Sequence, residues 1–474
     1  MLDTHTEASH AFALPALLQV SGDTLALRAG AWSEHVRAIE SELVAIQAEI
    51  DTRCFDLYGI ETADRRAITE GFGASNTEDA EREVVEESPG DSDEDAAEAS
   101  DTDATALAAE LISWAVGVAF GRFDVQLATG ARALPGEPEP FDPLPICSPG
   151  MLTGDDGFPL SAPLTDYPVR FSADGILVDD PGHPRDLTAA VRRVFEFVFD
   201  RDADARWLEA AALVDPARHD LRAWLASEYF EFHIKRYSKS RRKAPILWQL
   251  AMPSSRYAIW LYVHRLTRDT FFQVQQDLLG PKLALEERKL LSLTQDAGPN
   301  PSAGQRKVIA EQAAFVEELR AMRDEVARVA PLWNPDLDDG VVIAMAPLWR
   351  LVPQHRVWQR ELQSTWEALS AGKYDWSHLA MHLWPERVVP KCAEDRSLAI
   401  AHGLEDVFWE EGADGKWKAR LAPTRSVDAL VRERTSAAVR AALKSLTEAP
   451  VPSAGGGRGR GRRATRSGRA GGGQ

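Results

Sequence analysis

The run from residue 78 to residue 103 constrains the fold of this chain more than any other feature. Thirteen of its residues are Asp or Glu, and Arg82 is its one base. Like charges at that density repel. The wider stretch 72–104 is rich in Ser, Ala and Gly and nearly free of aromatics, so it cannot bury enough apolar surface to offset its ordering entropy. It is expected to be a disordered acidic linker. The stretch 449–474, a Gly/Arg tail with six arginines and no acid, has no packing capacity either. What remains divides into an N-terminal hairpin plus long helix (1–71), a helical domain carrying a basic block and a β-hairpin (105–330), and a Trp-rich module (331–448). A length of 474 residues suits two or three domains.

The net charge of −19 comprises −12 from the acidic run, +6 from the tail and −13 from the remaining parts, which are acidic on average with basic islands. It therefore speaks to solubility and leaves room for a local cationic face. Three cysteines, Cys54, Cys147 and Cys392, are too far apart and odd in number for a disulfide framework. No run of 18 apolar residues is present to span a membrane, and the polar, acidic first ten residues do not read as a signal peptide. These features together imply a reducing cytoplasm.

Periodicity gives the elements. Residues 14–27 alternate enough for a short hairpin around Gly22-Asp23. Trp32, Val36, Ile39, Leu43, Ile46, Ile50 and Cys54 recur at three- and four-residue steps, predicting a helix with one apolar stripe, stopped at Gly59. Residues 106–123 read as a buried helix, 135–168 as a Pro-rich connector, and 169–178 as a hairpin turning at Asp174-Gly175. Helices are expected over 187–199, 203–213 and 219–235. The best strand candidates are 246–250 and 257–263, flanking a Pro253-Ser254-Ser255-Arg256 turn. Val308, Phe315, Leu319, Met322, Val326 and Val329 fit an a/d seam that 283–293 could meet as an antiparallel partner, with ordinary helix packing the better reading. A final helix spans 427–446. The fold class is mainly α with small β-hairpins (α+β), a multi-domain helical scaffold.

Most familiar chemistries find no signature. Methyl transfer to an amino group needs a glycine-rich cofactor loop after a strand and a Pro-Pro motif. The chain has no Pro-Pro, and its one G-F-G, Gly71-Phe72-Gly73, opens the acidic linker. Asp336, Asp338 and Asp339 precede a strand-like 341–344 without the Glu-x-Lys of a metal-dependent nuclease, and read better as a solvated turn leading to Gly340. His378 and His382 share a helix face, but Leu379 stands where a zincin has Glu, so a packed or hydrogen-bonded pair is the better reading. No G-x-S-x-G occurs.

The basic block is different. Lys235, Arg236, Lys239, Arg241, Arg242 and Lys243 place six cations in nine residues, with Tyr237, Ser238 and Ser240 between them. Such a run can neutralise phosphates while hydroxyls add neutral hydrogen bonds. It can equally be a solvated surface loop. Trp248, Tyr257, Trp260, Tyr262, His264 and Arg265 follow. The tryptophans suit a core better than a base-stacking platform. Candidate DNA contacts are Lys235, Arg236, Tyr237, Lys239, Arg241, Arg242, Lys243, Arg256, His264 and Arg265.

The stretch Glu231-Phe-His-Ile-Lys-Arg-Tyr-Ser-Lys-Ser-Arg-Arg-Lys-Ala-Pro-Ile-Leu-Trp248, followed by Trp260-Leu-Tyr-Val-His264, resembles a block of large adenine-specific DNA methyltransferases from bacterial phage-defence systems. These are the BREX-type enzymes (PglX), the DISARM methyltransferases and the related type IIG restriction-modification enzymes. Residues 111–122, 176–180, 338–342 with 346–349, and 374–378 with 384–387 are similar to further blocks in the same order. In that family these blocks lie C-terminal to the methyltransferase core, in the region that recognises and holds DNA. The cofactor loop and the Asn-Pro-Pro-Tyr-type motif have no counterpart here. The resemblance thus implies a non-catalytic DNA-binding or scaffold part, binding double-stranded DNA, with N6-adenine methylation and S-adenosylmethionine belonging to a partner catalytic subunit or to the rest of a longer gene. No cofactor, catalytic residue or metal site is expected in this chain. The competing reading is a protein–protein adaptor of a defence complex that never touches DNA.

Overall fold

The computed structural model describes residues 3–68, 103–136, 141, 143, 145–162, 165–238, 245–413 and 415–449. The expected acidic linker, apart from its last two residues, and the Gly/Arg tail beyond Ala449 lie outside the described residues, as do Lys239, Arg241, Arg242 and Lys243. The chain is mainly helical with two small antiparallel sheets. It forms two compact units, one from residues 1–249 and 257–266, the other from 250–256 and 267–474. The division at 266–267 falls inside the stretch read from sequence as one helical domain, 105–330.

In the first unit no hairpin forms over 14–27. Residues Ala16–Gln19 make one helical turn, and helix α1, Leu25–Leu57, starts where the Thr24 side chain accepts from the Leu27 amide. A hydroxyl cap supplies a partner for an otherwise orphaned donor, which fixes the start there. Helix α2, Ala104–Ala119, is apolar on every face beyond its first turn save for Glu110 and Ser113, with thirteen buried residues, as befits a helix enclosed on every side. It packs on α3, Leu187–Phe199, α4, Ala203–Val214, and the first turns of α1. Gly117 has no substitute here, because a Cβ would meet the Phe123 ring at 2.4 Å. The segment expected as one helix over 219–235 is two, α5, Leu221–Ser227, and α6, Tyr229–Tyr237, broken at Glu228.

Strands β1, Ile176–Asp179, β2, Leu247–Ala251, and β3, Ala258–Tyr262, form a sheet of order β1-β3-β2. The turn at Asp174-Gly175 is present, with Gly175 at φ 68°. The strand after it does not pair back on 169–173, however. It pairs antiparallel with β3 in the register Ile176↔Leu261 and Val178↔Ile259. The local hairpin gives way to a long-range partner that offers a wholly buried strand. Trp248 and Trp260 are fully buried, at 5.7 Å from Phe230 and 5.4 Å from Tyr229 respectively. They are core, as the sequence suggested.

In the second unit helices α7, Gly280–Ala297, and α8, Ala303–Val329, form an antiparallel hairpin. A capping box between Ser302 and Gln305 opens α8. The a/d seam is real at its base, where Phe315, Leu319, Met322, Val326 and Val329 are buried, and open toward its tip, where Val308 is 48% exposed. Gln312 Nε2 donates to Glu286 Oε2 at 2.8 Å and Arg320 Nη2 to Glu287 Oε1 at 2.5 Å across it. Residues Val341–Met345, read as strand-like, are helical. Gly340 at φ 86° terminates the preceding turn and frees the chain to start again. The Trp-rich module gathers Leu332, Leu369, Leu379, Leu383 and Val388 around helix α9, His378–Leu383, and the last helix, α10, Ala437–Glu448. The expected final helix over 427–446 is divided, because Ser436 caps α10 separately from Val427–Arg434.

Candidate functional site

The basic block begins on α6. Its buried face is Tyr229, Phe230, His233 and Ile234. Lys235 lies outside that face and pairs with Glu231, Nζ to Oε1 at 3.0 Å, both side chains exposed. An exposed pair of this kind is weak, so Lys235 remains available to an outside anion.

Arg236 and Tyr237 turn inward instead. Arg236 is bonded to Glu110 on α2, and its side chain is 13% exposed. The Tyr237 hydroxyl donates to Glu7 Oε1 at 2.7 Å and accepts from Arg122. Glu7 also accepts from Arg122 Nη1 and from Ser113 Oγ, each at 2.7 Å. Burial pushes the Glu7 pKa up, but Arg122 and Arg236 outweigh it and hold the carboxyl below its ordinary value. The cluster is thus a buried, fully bonded carboxylate between two guanidinium groups.

His233 completes the anchor. Its Nε2 accepts from the Leu247 amide at 3.0 Å, so the proton sits on Nδ1, which has no partner among the described residues. Burial first, then the positive charge of Arg122 and Arg236, push its pKa down to about 3, and the ring is neutral at physiological pH. Trp248 Nε1 donates to the Pro245 carbonyl at 2.9 Å. The described residues on either side of 239–244 are therefore held by internal hydrogen bonds: Arg236 and Tyr237 before it, Pro245 and Leu247 after it.

Arg265 is also committed internally. Its guanidinium donates to the carbonyls of Gly121 (3.0 Å) and Leu160 (2.7 Å), with longer bonds to Ser161 and Ser172, and lies 4.6 Å over the Phe171 ring. It ties together four chain segments and has little left for a phosphate. His264 is exposed, edge-on to Tyr262 at 5.3 Å. Arg256 belongs to the second unit. There it stacks 4.3 Å over Phe315 and donates to the Glu311 carbonyl at 3.2 Å. Of the ten sequence candidates, Lys235, His264 and Arg256 stand at the surface, Arg256 lying against Phe315 and the Glu311 carbonyl, Arg236, Tyr237 and Arg265 turn inward, and four lie outside the described residues.

Glu7 and Glu110 were not singled out from the sequence. Their partners lie 230 and 126 residues away, beyond any local pattern. One signal was available, since Glu110 is the sole charge in the apolar helix Ala104–Ala119. A buried carboxylate there demands a cation.

The second unit holds a polar cavity of about 480 Å³, lined by Arg268, Asn334, Asp336, His378, His382 and Arg434 among others. Asp339, buried, accepts from the amides of His378 (2.7 Å) and Leu379 (2.8 Å) and lies 3.0 Å from His378 Nδ1. The acid read as part of a solvated turn therefore caps α9 and orients a ring. His382 Nε2 donates to the Pro331 carbonyl at 3.1 Å, so its partner is a carbonyl rather than a second imidazole. Burial pushes the His382 pKa down. Among the described residues no group of three His, Cys, Asp or Glu is placed to hold a metal ion, and no helix is long and apolar enough to cross a membrane. Compared with known protein families and with curated proteins, the chain matches no family model and no curated protein.

Proposed function

We propose that this chain is the DNA-holding, non-catalytic scaffold of a phage-defence N6-adenine DNA methyltransferase, acting in the cytoplasm with the catalytic subunit on another polypeptide. The observation that carries the reading is the concentration of six cations within residues 235–243 of an otherwise acidic chain, between two ends fixed by buried hydrogen bonds. The ordered resemblance to the DNA-holding region of those enzymes supports it. In this reading Lys235, Lys239, Arg241, Arg242 and Lys243 neutralise backbone phosphates. Arg236 and Tyr237 are positioning residues that set where the segment leaves α6, and Arg265 holds the sheet that receives it. S-adenosylmethionine and the extruded adenine would be handled by the partner.

The test is duplex binding at several salt concentrations. Removing one phosphate-neutralising cation lowers the log–log salt slope by about 0.9. Arg241→Ala/Arg242→Ala/Lys243→Ala should therefore flatten the slope by roughly 3 and weaken binding uniformly across sequences. Unchanged affinity and slope would refute the assignment. One observation favours the adaptor reading instead: three of the candidate residues, Arg236, Tyr237 and Arg265, spend their polar groups inside the fold. Co-purification with a partner, combined with no retention of the isolated chain on duplex DNA, would establish that alternative.

A further inference from the structure

Helix α1 is 33 residues long, which corresponds to about 50 Å, yet among the described residues its buried side chains are confined to its first turns. Leu25, Ala29 and Trp32 are its buried residues. Farther along, Leu43 is 44% exposed, Ile46 45%, Ile50 48% and Leu57 81%. These side chains are not scattered. Val36, Leu43, Ile50 and Leu57 recur every seven residues, and Ile39 and Ile46 fall between them at alternating steps of three and four. A helix packing into a globular core shows a broad face, whereas a narrow stripe with a seven-residue repeat is the seam of a two-stranded coiled coil.

The charges beside the seam say what kind of helix fits. Glu42, Glu49 and Asp56 precede the positions of Leu43, Ile50 and Leu57 along one edge, and Glu40 lies on the other. Residues 34–57 hold six acids against Arg37 and Arg53. A second copy of this chain would add like charge to like. In parallel it would set Arg53, which occupies a seam position, against its own copy. In antiparallel it would oppose acids among Glu42, Glu49 and Asp56. The Arg/Gly stretch 458–469 of this chain has the right charge but no large apolar residue to enter the seam.

We propose that residues 36–57 of α1 dock an amphipathic helix of another protein, forming a two-stranded coiled coil in which the partner helix carries apolar heptads flanked by Lys or Arg. The inference stands on α1 alone and does not depend on DNA binding.

The test uses the full chain and two synthetic four-heptad peptides with identical Leu/Ile seams, one flanked by Lys and one by Glu. The chain should be monomeric by light scattering and should bind the Lys-flanked peptide about tenfold more tightly, a difference expected to shrink with salt. Leu43→Ala/Ile50→Ala should abolish binding with the helical circular-dichroism signal retained. Val44→Ala, exposed but off the seam, should change nothing. Glu42→Lys/Glu49→Lys should reverse the peptide preference. A dimeric chain would show that a second copy fills the seam and would overturn the proposal. So would absent binding of both peptides, equal binding of both, or equal weakening by Val44→Ala.

Discussion

Removing the Glu7 carboxylate should destabilise the first unit more than any surface change could. Glu7 accepts three hydrogen bonds of 2.7 Å, from Arg122, Tyr237 and Ser113. Arg122 is 13% exposed at the side chain and Glu7 3%. In Glu7→Ala the Arg122 guanidinium stays buried with no carboxylate bonded to it, and breaking a buried pair from one side costs about 3–5 kcal/mol. For a unit of this size that corresponds to a fall in Tm of roughly 10 °C. Thermal unfolding followed by tryptophan fluorescence reads it, because Trp32, Trp114, Trp248 and Trp260 are all buried in that unit. Glu7→Gln, which keeps the shape and one acceptor, should lose less. A double-mutant cycle with Tyr237→Phe isolates the anchor, since two groups sharing one hydrogen bond must couple. The pH dependence has the same origin. The Glu7 pKa is held below its unfolded value, so its stabilisation is present above that value and is lost as pH falls through the folded one. A Glu7→Ala protein melting within about 1 °C of the parent would refute the view of this cluster as a strong anchor.

Two further outcomes follow from burial. His233 has a folded pKa of about 3 against 6.5 unfolded. Between those values the unfolded chain binds the proton first, so the ring removes about 1.4 kcal/mol of stability per pH unit as pH falls. His233→Gln, which retains an acceptor for Leu247 N, should flatten that limb of the pH–stability curve, and an unchanged limb would exclude the assignment. Thiol titration of the native chain should label the exposed Cys54 fastest. Cys392, buried and pushed up to about 11 by desolvation, should react only on unfolding; fast labelling at Cys392 in a Cys54→Ser variant would contradict its burial.

What could be read from the sequence follows the range of the forces involved. The long helices, the β2–β3 pair and the α7–α8 hairpin were legible because their periodicity and turn residues are local. The register of β1 against β3 was not. Ile176 meets Leu261 across 85 positions, and the adjacent Asp174-Gly175 turn pointed to a nearer partner. The candidate site divided in the same way. Charge density marked the basic block, since cations are visible one by one. That Arg236 and Tyr237 turn inward was set by Glu110 and Glu7, whose partnership with α6 exists only once α2 is buried.

That division bears on how such a block can serve a ligand. A run of six free cations with unanchored ends would lose conformational entropy on every binding event. Here two members of the run, Arg236 and Tyr237, are held by buried carboxylates, and the strand that follows is bonded back to α6 through His233. The internal partners therefore do not simply subtract cations from the surface. They hold Arg236 and Tyr237 ahead of residues 239–244 and Leu247 behind them. On the proposed DNA-holding role, loosening the anchor with Tyr237→Phe should weaken duplex binding without changing the salt slope, because every cation of the block is still present. A flattened slope in Tyr237→Phe would instead place that hydroxyl, or the charge it steadies, directly against the phosphates.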